Sequence, residues 1–447
     1  MYIQNQTFTV VGLSASGKSA ALALLERGAK VFVYDDGKSK RIEKTAFFLA
    51  ERGAIAVDNV TDAIEKSDVV VVSPGVPIDS PYLVAARRKG KRIIGELELG
   101  YTLSQANFIA VTGTNGKTTT CSLIYHVLLA AKKSAELVGN IGTPVCDKLK
   151  ELTFDTFAVT EVSSFQLETV HTFCPHVAVI LNVAPDHLDR HYTMDNYVYL
   201  KKRILFNMRE SEFAVLNKDD AVVRGFAEST RAKVVWFSTV GYDTDGAYLK
   251  EDGFYYNGEK VAGLDKLTLT GEHNKQNALA AIAALKLVGV KNEDIAKGFA
   301  TFKGVRHRME LIYTKNGVKY YNDSKSTNVD STLKAVAAMT EPTVIILGGK
   351  DKDLDYEELF EKLKTSCVVH AVIMGENRYK LLDCANRAGY KKLSVSSSFE
   401  SAVKIAKIEA RNNGSVLLSP ASASFDMFSG YEERGREFER IVKAINE

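Results

Sequence analysis

The stretch Phe108-Ile-Ala-Val-Thr-Gly-Thr-Asn-Gly-Lys-Thr-Thr-Thr120 constrains this chain more than any other. A short apolar run of strand character enters a glycine-rich turn, and Lys117-Thr118 then opens a helix. Such a unit aims several backbone N–H groups and the positive end of a helix at one point, which makes a cradle for nucleotide phosphates. Lys117 would reach the outer phosphates and Thr118 would offer its hydroxyl to Mg²⁺. The usual spacing places a glycine at 111, where this chain has Val111, so the loop reads as a tightened variant. Chance punctuation of a loop is the alternative.

A second glycine turn lies near the start. Gly12-Leu-Ser-Ala-Ser-Gly17-Lys18-Ser19 satisfies G-x-x-x-x-G-K-S and follows an expected strand at Thr7–Val11. A helix over Lys18–Arg27 and a second strand ending in Asp35-Asp36 come next. That order, with an acid at the second strand tip, is how Rossmann-type units hold a sugar. The early turn therefore reads as a nucleotide-diphosphate binder, as the ATPase site itself, or as a structural turn.

Three α/β blocks follow from the alternation of β-rich and helical runs: residues 1–95, 96–305 and 306–447. In the first, Ser73-Pro74-Gly75 ends a Val-rich strand at the edge where ligands collect. The middle block opens with the phosphate loop, and β-type alternation over Ala247–Leu269, with a turn at Asn257-Gly258, adds a small extra β element. The last block starts with a hairpin around Asn316-Gly317 and includes a helix expected over Phe399–Arg411. Two α/β units flanking an ATP-binding centre imply a cleft that closes for chemistry.

Lys and Arg exceed Asp and Glu by three (58 against 55), which argues against a nucleic-acid surface. No apolar run approaches the roughly 20 residues of a membrane span. The start lacks a basic segment and cleavage pattern, and five scattered cysteines lack C-x-x-C spacing. Both predict a cytoplasmic protein with reduced thiols.

Further polar groups stand where strands should end. Glu161 closes the run Phe157–Glu161, the place of a carboxylate that holds Mg²⁺ beside a phosphate loop, or of a merely solvated terminus. His187 follows the expected strand Val177–Val183 as a metal ligand or as polar filler. On a helix expected over Met194–Met208, Lys201 shares the apolar stripe of Tyr197, Leu200, Ile204 and Met208. A lysine buried there is readily neutralised and nucleophilic; snorkelling to solvent is the alternative.

Together with Gly139-Asn-Ile-Gly142, Gly271-Glu-His-Asn274, Asn322-Asp-Ser-Lys-Ser-Thr-Asn328 and Leu418-Ser-Pro-Ala-Ser-Ala-Ser424, these residues resemble the Mur ligase family over essentially the whole chain. Its members use ATP to build the peptide of bacterial cell-wall precursors. The resemblance implies a Rossmann-like N-terminal unit and a Rossmann-like C-terminal unit flanking a central P-loop ATPase-type domain. The segment 322–328 and the glycine-turn first domain resemble the branch that adds D-glutamate to UDP-N-acetylmuramoyl-L-alanine through an acyl phosphate.

Carried over residue by residue, the resemblance assigns ATP to Gly113, Thr114, Asn115, Gly116, Lys117, Thr118, Thr119, Asn274, Arg308 and Asp323. Two Mg²⁺ ions, with Mn²⁺ as a substitute, would use Thr118 and Glu161, then His187 and a carbamylated Lys201. Catalysis falls to Lys117, Asn140, His187 and Lys201. The UDP substrate would contact Leu13, Ser14, Asp35, Asp36, Ser73, Gly75 and Asn140. D-glutamate would meet Lys325, Thr327, Ser424, Phe425 and Tyr431. A monomer without nucleic-acid or membrane partners is implied. Ser14 and Lys18 depart from the glycine and neutral residue typical of relatives. A small-molecule kinase and a nucleotide-binding regulator without turnover are the rival readings.

Overall fold

Val69–Val72 is four valines long and buried throughout, so this strand must be covered on both faces by helices. The computed structural model describes residues 3–37, 39–241, 245–269, 271–351, 354–410 and 414–447. The chain divides into two units, Met1–Leu267 with Gln276–Phe302, and Thr268–Lys275 with Lys303–Glu447.

The first unit holds two sheets. One is parallel, in the order Ile55–Ala56, Lys30–Tyr34, Thr7–Val11, Val69–Val72, Arg92–Gly95. The chain leaves Thr7–Val11 to one side and later returns on the other. That reversal opens a crevice at the carboxyl ends of Thr7–Val11 and Val69–Val72, beside Gly12 and Ser73.

The other sheet has nine strands, and one side of it runs Phe213–Asn217, Val177–Ile180, Asn107–Thr112, Phe157–Glu161 and, at the edge, Ala135–Gly139, all parallel. Its register sets Val111 and Gly139 level with Glu161, and Thr112 level with Ile180. Four strand ends therefore deliver their following residues to one edge. The extra β element is the other margin of this sheet: Gly246–Lys250, Gly253–Tyr256 and Glu259–Ala262 pair antiparallel. Asn257 (φ 46°) and Gly258 (φ 89°) make the tight turn that such pairing requires.

The second unit carries six strands in the order Glu310–Lys315, Val318–Asn322, Ser415–Leu418, Thr343–Gly348, Val368–Met374, Leu393–Val395, antiparallel only at the first pair. The carboxyl ends of Val318–Asn322 and Ser415–Leu418 lie side by side, with Asn322 opposite Leu418.

Several boundaries differ from those expected. The helix after the first glycine turn begins at Ala15, not Lys18. The alternation over Ala247–Leu269 yields strand only to Ala262, because a short 3-10 turn, Leu264–Lys266, follows Gly263. Val177–Val183 is strand only to Ile180, since the next residues bend into the loop that braces the phosphate turn. The helix from Met194 ends at Lys202 and tightens into a 3-10 turn. The helix from Phe399 ends at Glu409, and Arg411 lies outside the described residues. No helix among the described residues is long and apolar enough to cross a membrane.

Candidate active site

The phosphate loop turns at Gly113 (φ 149°) and Gly116 (φ 87°), and the helix Lys117–Ala130 starts at the next residue. A Cβ at Gly116 would lie 2.3 Å from the Asn277 amide oxygen, so the position requires glycine in both conformation and space. Asn182 braces the loop from the neighbouring strand end. Its Oδ1 accepts from the Asn115 N–H at 2.9 Å, and its amide donates to the Asn115 carbonyl at 3.0 Å.

Two lysines converge on one carbonyl. Lys117 Nζ donates to the Gly113 and Thr114 oxygens at 2.8 and 2.7 Å, and Lys201 Nζ donates to Gly113 O at 2.8 Å. Lys201 is 1% exposed, which rules out snorkelling. Burial, reinforced by the Lys117 charge, holds its amine well below the ordinary lysine range, against the opposing pull of Asp186 and Glu161. The neutral, nucleophilic amine is thereby favoured.

Thr118 Oγ1 donates to Glu161 Oε2 at 2.7 Å, and the Asn140 amide donates to Glu161 Oε1 at 2.7 Å. Asn140 is aimed there by its own backbone N–H, which donates to Glu161 O at 2.9 Å. Gly139 permits this approach, because a Cβ on it would sit 2.4 Å from the same oxygen. A hydroxyl and a carboxylate in contact beside a phosphate loop fit Mg²⁺, which takes oxygen donors and keeps several waters. Among the described residues, no group of three or more His, Cys, Asp or Glu gathers as a metal cluster. The protein donors that would meet a metal here are a hydroxyl and a single carboxylate.

His187 adopts φ 55° at the start of the one-turn helix Leu188–His191. Its ring lies 4.8 Å from that of Phe165, and its Nε2 is 3.6 Å from Asp186 Oδ2. The backbone of this loop is tied to the phosphate loop, since the Ala184 N–H donates to Thr114 Oγ1 at 2.9 Å. His191 lies behind it, fully buried, with Nε2 2.9 Å from Ser164 Oγ. Burial pushes its pKa down to about 4, aided by His187, so it stays neutral.

The early G-x-x-x-x-G-K-S is built differently. Its helix begins before Gly17, so Lys18 projects from inside the helix and lies 4.3 Å over the Phe48 ring. Gly17 packs so closely that a Cβ would stand 1.7 Å from Gly12 O. That is the close helix–turn packing of a Rossmann-type unit, not the lysine placement of a phosphate loop. Asp35 accepts from the Leu13 and Gly37 N–H groups at 2.6 and 2.8 Å, and Ser73 Oγ donates to Gly12 O at 2.8 Å. Asp36 accepts from Tyr34 and Tyr82 hydroxyls at 2.6 and 2.9 Å. Tyr82 had no signal in the sequence. Ser14 and Gly75 are exposed at the mouth of this crevice.

In the second unit, Lys325 Nζ lies 4.2 Å over the Tyr431 ring and donates to its hydroxyl at 2.7 Å. Asp323 is buried and accepts from Ser326 Oγ, Ser419 Oγ and the Met309 N–H at 2.5, 2.8 and 3.2 Å. Burial raises its pKa, against the nearby Arg308. Arg308 Nη1 donates to Ser326 Oγ at 3.1 Å. Ser424 is buried, Thr327 half-buried, and Phe425 is 70% exposed. Asn274 is nearly buried at the start of the helix Glu272–Leu287. Sequence reasoning assigned no role to Arg434, which is 0% exposed and donates to Ser324 O, Ser422 O and Ala423 O at 2.8, 3.0 and 3.2 Å. It fastens the loop that carries Ser424 to the loop that carries Lys325.

Three family models match: a Mur ligase MurD-like N-terminal domain over residues 6–95, a Mur ligase middle domain over 111–285, and a Mur ligase glutamate ligase domain over 307–422. The UDP-N-acetylmuramoylalanine–D-glutamate ligase of Lachnospira eligens is 39% identical over 451 residues, spanning 100% of both chains. The UDP-N-acetylmuramate-alanine ligase of Thermotoga maritima shares the fold, with a TM-score of 0.64 at 21% identity, covering 99% of this chain and 100% of that one. The MurF ligase of Thermotoga maritima, solved in complex with ADP, has a TM-score of 0.60 at 19% identity, covering 99% and 96%.

Proposed function

Because the chain belongs to the Mur ligase family, we propose that it is the ATP-dependent ligase that joins D-glutamate to UDP-N-acetylmuramoyl-L-alanine in peptidoglycan precursor synthesis. The terminal carboxylate of the UDP substrate attacks the γ-phosphorus of ATP, ADP leaves, and an acyl phosphate forms. The amine of D-glutamate then attacks the acyl carbon, inorganic phosphate departs, and the amine loses a proton to solvent.

Lys117 exchanges its loop carbonyls for phosphate oxygens and neutralises charge growing on the transferred group. Thr118 and Glu161 would hold one Mg²⁺ or Mn²⁺. The Lys201 amine attacks CO₂, forming an N–C bond and releasing a proton, and the resulting carbamate and His187 would hold a second ion. These ions would supply charge neutralisation on the phosphates. Asn140, held by Glu161, orients the attacking carboxylate and touches the UDP substrate.

Gly113, Thr114, Asn115, Gly116 and Thr119 complete the phosphate cradle, and Asn274, Arg308 and Asp323 contact ATP. Leu13, Ser14, Asp35, Asp36, Ser73 and Gly75 receive the UDP moiety. Lys325, Thr327, Ser424, Phe425 and Tyr431 receive D-glutamate. The protein acts as a cytoplasmic monomer.

One observation supports this reading above the others: the Thr118–Glu161–Asn140 chain stands at the strand edge where Lys117 and Lys201 converge on Gly113 O. Phosphate release in a coupled assay should require ATP, UDP-N-acetylmuramoyl-L-alanine and D-glutamate together, and should vanish in Lys117→Ala. A phosphorylated stable product without phosphate release would favour the kinase reading instead.

A further inference from the structure

The loop that carries His187 is joined to the substrate loop of the other sheet. Arg190 Nη2 donates to Val76 O at 2.8 Å, just beyond the Ser73-Pro74-Gly75 turn. The same guanidinium donates to Glu168 Oε1 and Oε2 at 3.3 and 2.7 Å, and both side chains are largely buried, at 15% and 7% exposure. It also lies 5.4 Å from the Phe165 ring, which packs edge-on against His187. A second tie follows two residues later, where Tyr192 OH donates to Asp79 Oδ2 at 2.6 Å. His187 and Tyr192, at either end of this one-turn segment, both have left-handed backbones, at φ 55° and 66°. Non-glycine residues keep such conformations where surrounding contacts over-determine them.

We propose that Arg190 is a positioning residue that couples occupancy of the UDP-substrate turn to the placement of His187, with Tyr192 as its outer partner. The proposal rests on the substrate assignment above. Its logic is geometric: Arg190 bridges one backbone carbonyl of the N-terminal substrate loop, one buried carboxylate and the aromatic ring beside His187. A ligand that shifts Val76 must shift or strain this bridge, and a ligand at the phosphate loop meets the other end of it. Coupling of this kind is reciprocal, so each ligand should tighten the other. Arginine suits the role because its planar fork serves the carboxylate and the carbonyl at once, which lysine does not.

The test compares Arg190→Met and Tyr192→Phe with the parent protein. Hydrogen exchange of the ligand-free proteins is measured first, since it needs no assumption about substrate. In Arg190→Met, amides in 74–80 and 186–192 should exchange faster together, by about fivefold or more, with other regions unchanged. Calorimetric titration of UDP-N-acetylmuramoyl-L-alanine, with and without Mg²⁺ and a non-hydrolysable ATP analogue, should show mutual enhancement of about fivefold or more in the parent and none in Arg190→Met. Its kcat should fall about tenfold or more, and KM for ATP at saturating UDP substrate should rise by the roughly fivefold coupling that is lost, while affinity for the ATP analogue without UDP substrate stays within about twofold of the parent's. Tyr192→Phe, which loses one exposed bond and should fold normally, should show the same pattern more weakly.

Faster exchange confined to 186–192, or coupling retained in Arg190→Met, would overturn the proposal. A parent that binds neither ligand would refute the substrate assignment, while the exchange pattern would still decide the latch.

Discussion

Lys201→Met should stabilise the ligand-free protein at pH 7 and at the same time abolish turnover. The Lys201 side chain is 1% exposed, and methionine is of comparable length and needs no proton. At pH 7 the unfolded chain carries the proton that the buried amine gives up, so replacing this titratable group by a hydrophobe of similar volume is worth roughly 1–4 kcal/mol in favour of the folded state. Against this stands the hydrogen bond to Gly113 O, about 1 kcal/mol. Gly113 O is not orphaned, because Lys117 also donates to it at 2.8 Å. A net gain of up to about 3 kcal/mol follows, or a few degrees in Tm.

The sign with pH is defined as well. Burial depresses the folded-state pKa of Lys201, while the unfolded chain holds its proton up to about 10.4. Between those values the unfolded state binds the extra proton, so parent stability rises with pH and the variant's advantage shrinks. Urea titrations in CO₂-depleted, Mg²⁺-free buffer at pH 7 and pH 9.5 measure this gap. A variant less stable than the parent at pH 7, or an advantage that widens with pH, would refute the reasoning.

Two further substitutions probe other links. Gly17→Ala would drive a Cβ to 1.7 Å from Gly12 O, and should cost about 3 kcal/mol and remove UDP-substrate binding, while calorimetry still shows nucleotide binding at Gly113–Thr119. Glu96 is wholly buried, its carboxyl pushed by burial up to about 7, and it accepts from the Cys146 N–H at 2.7 Å. Its contribution to stability is present below the unfolded value of 4.5 and is lost as pH rises through about 7. Glu96→Gln keeps the acceptor and should therefore flatten the stability profile between about pH 5 and pH 8, gaining on the order of 2 kcal/mol at pH 8 in urea unfolding.

The sequence made the phosphate loop legible because strand, glycine turn and lysine are consecutive. Glu161 and Lys201 were legible because an acid at a strand tip and a lysine on an apolar stripe are local patterns. The early G-x-x-x-x-G-K-S left its role open, and only the helix start at Ala15 decides it. That start depends on Gly17 meeting Gly12 and Ser73, the latter a contact across 56 residues of chain that no local pattern reports. Arg434 and Tyr82 act through partners equally remote. The helix Tyr431–Asn446 was also missed, since its buried Phe438, Ile441 and Val442 lie among many charged residues. The early end of the helix at Lys202 shows the opposite case, where an apolar stripe outlasts the helix that it predicts, with Ile204 and Met208 still buried.

Carboxyl activation by ATP is tested most directly by isotope transfer. UDP-N-acetylmuramoyl-L-alanine labelled with ¹⁸O in its terminal carboxylate is turned over with ATP and D-glutamate, and the released phosphate is analysed by mass spectrometry. An acyl phosphate passes one carboxylate oxygen to phosphorus, so the phosphate should carry a single ¹⁸O. Unlabelled phosphate, with all the label retained in the ligated product, would contradict the account.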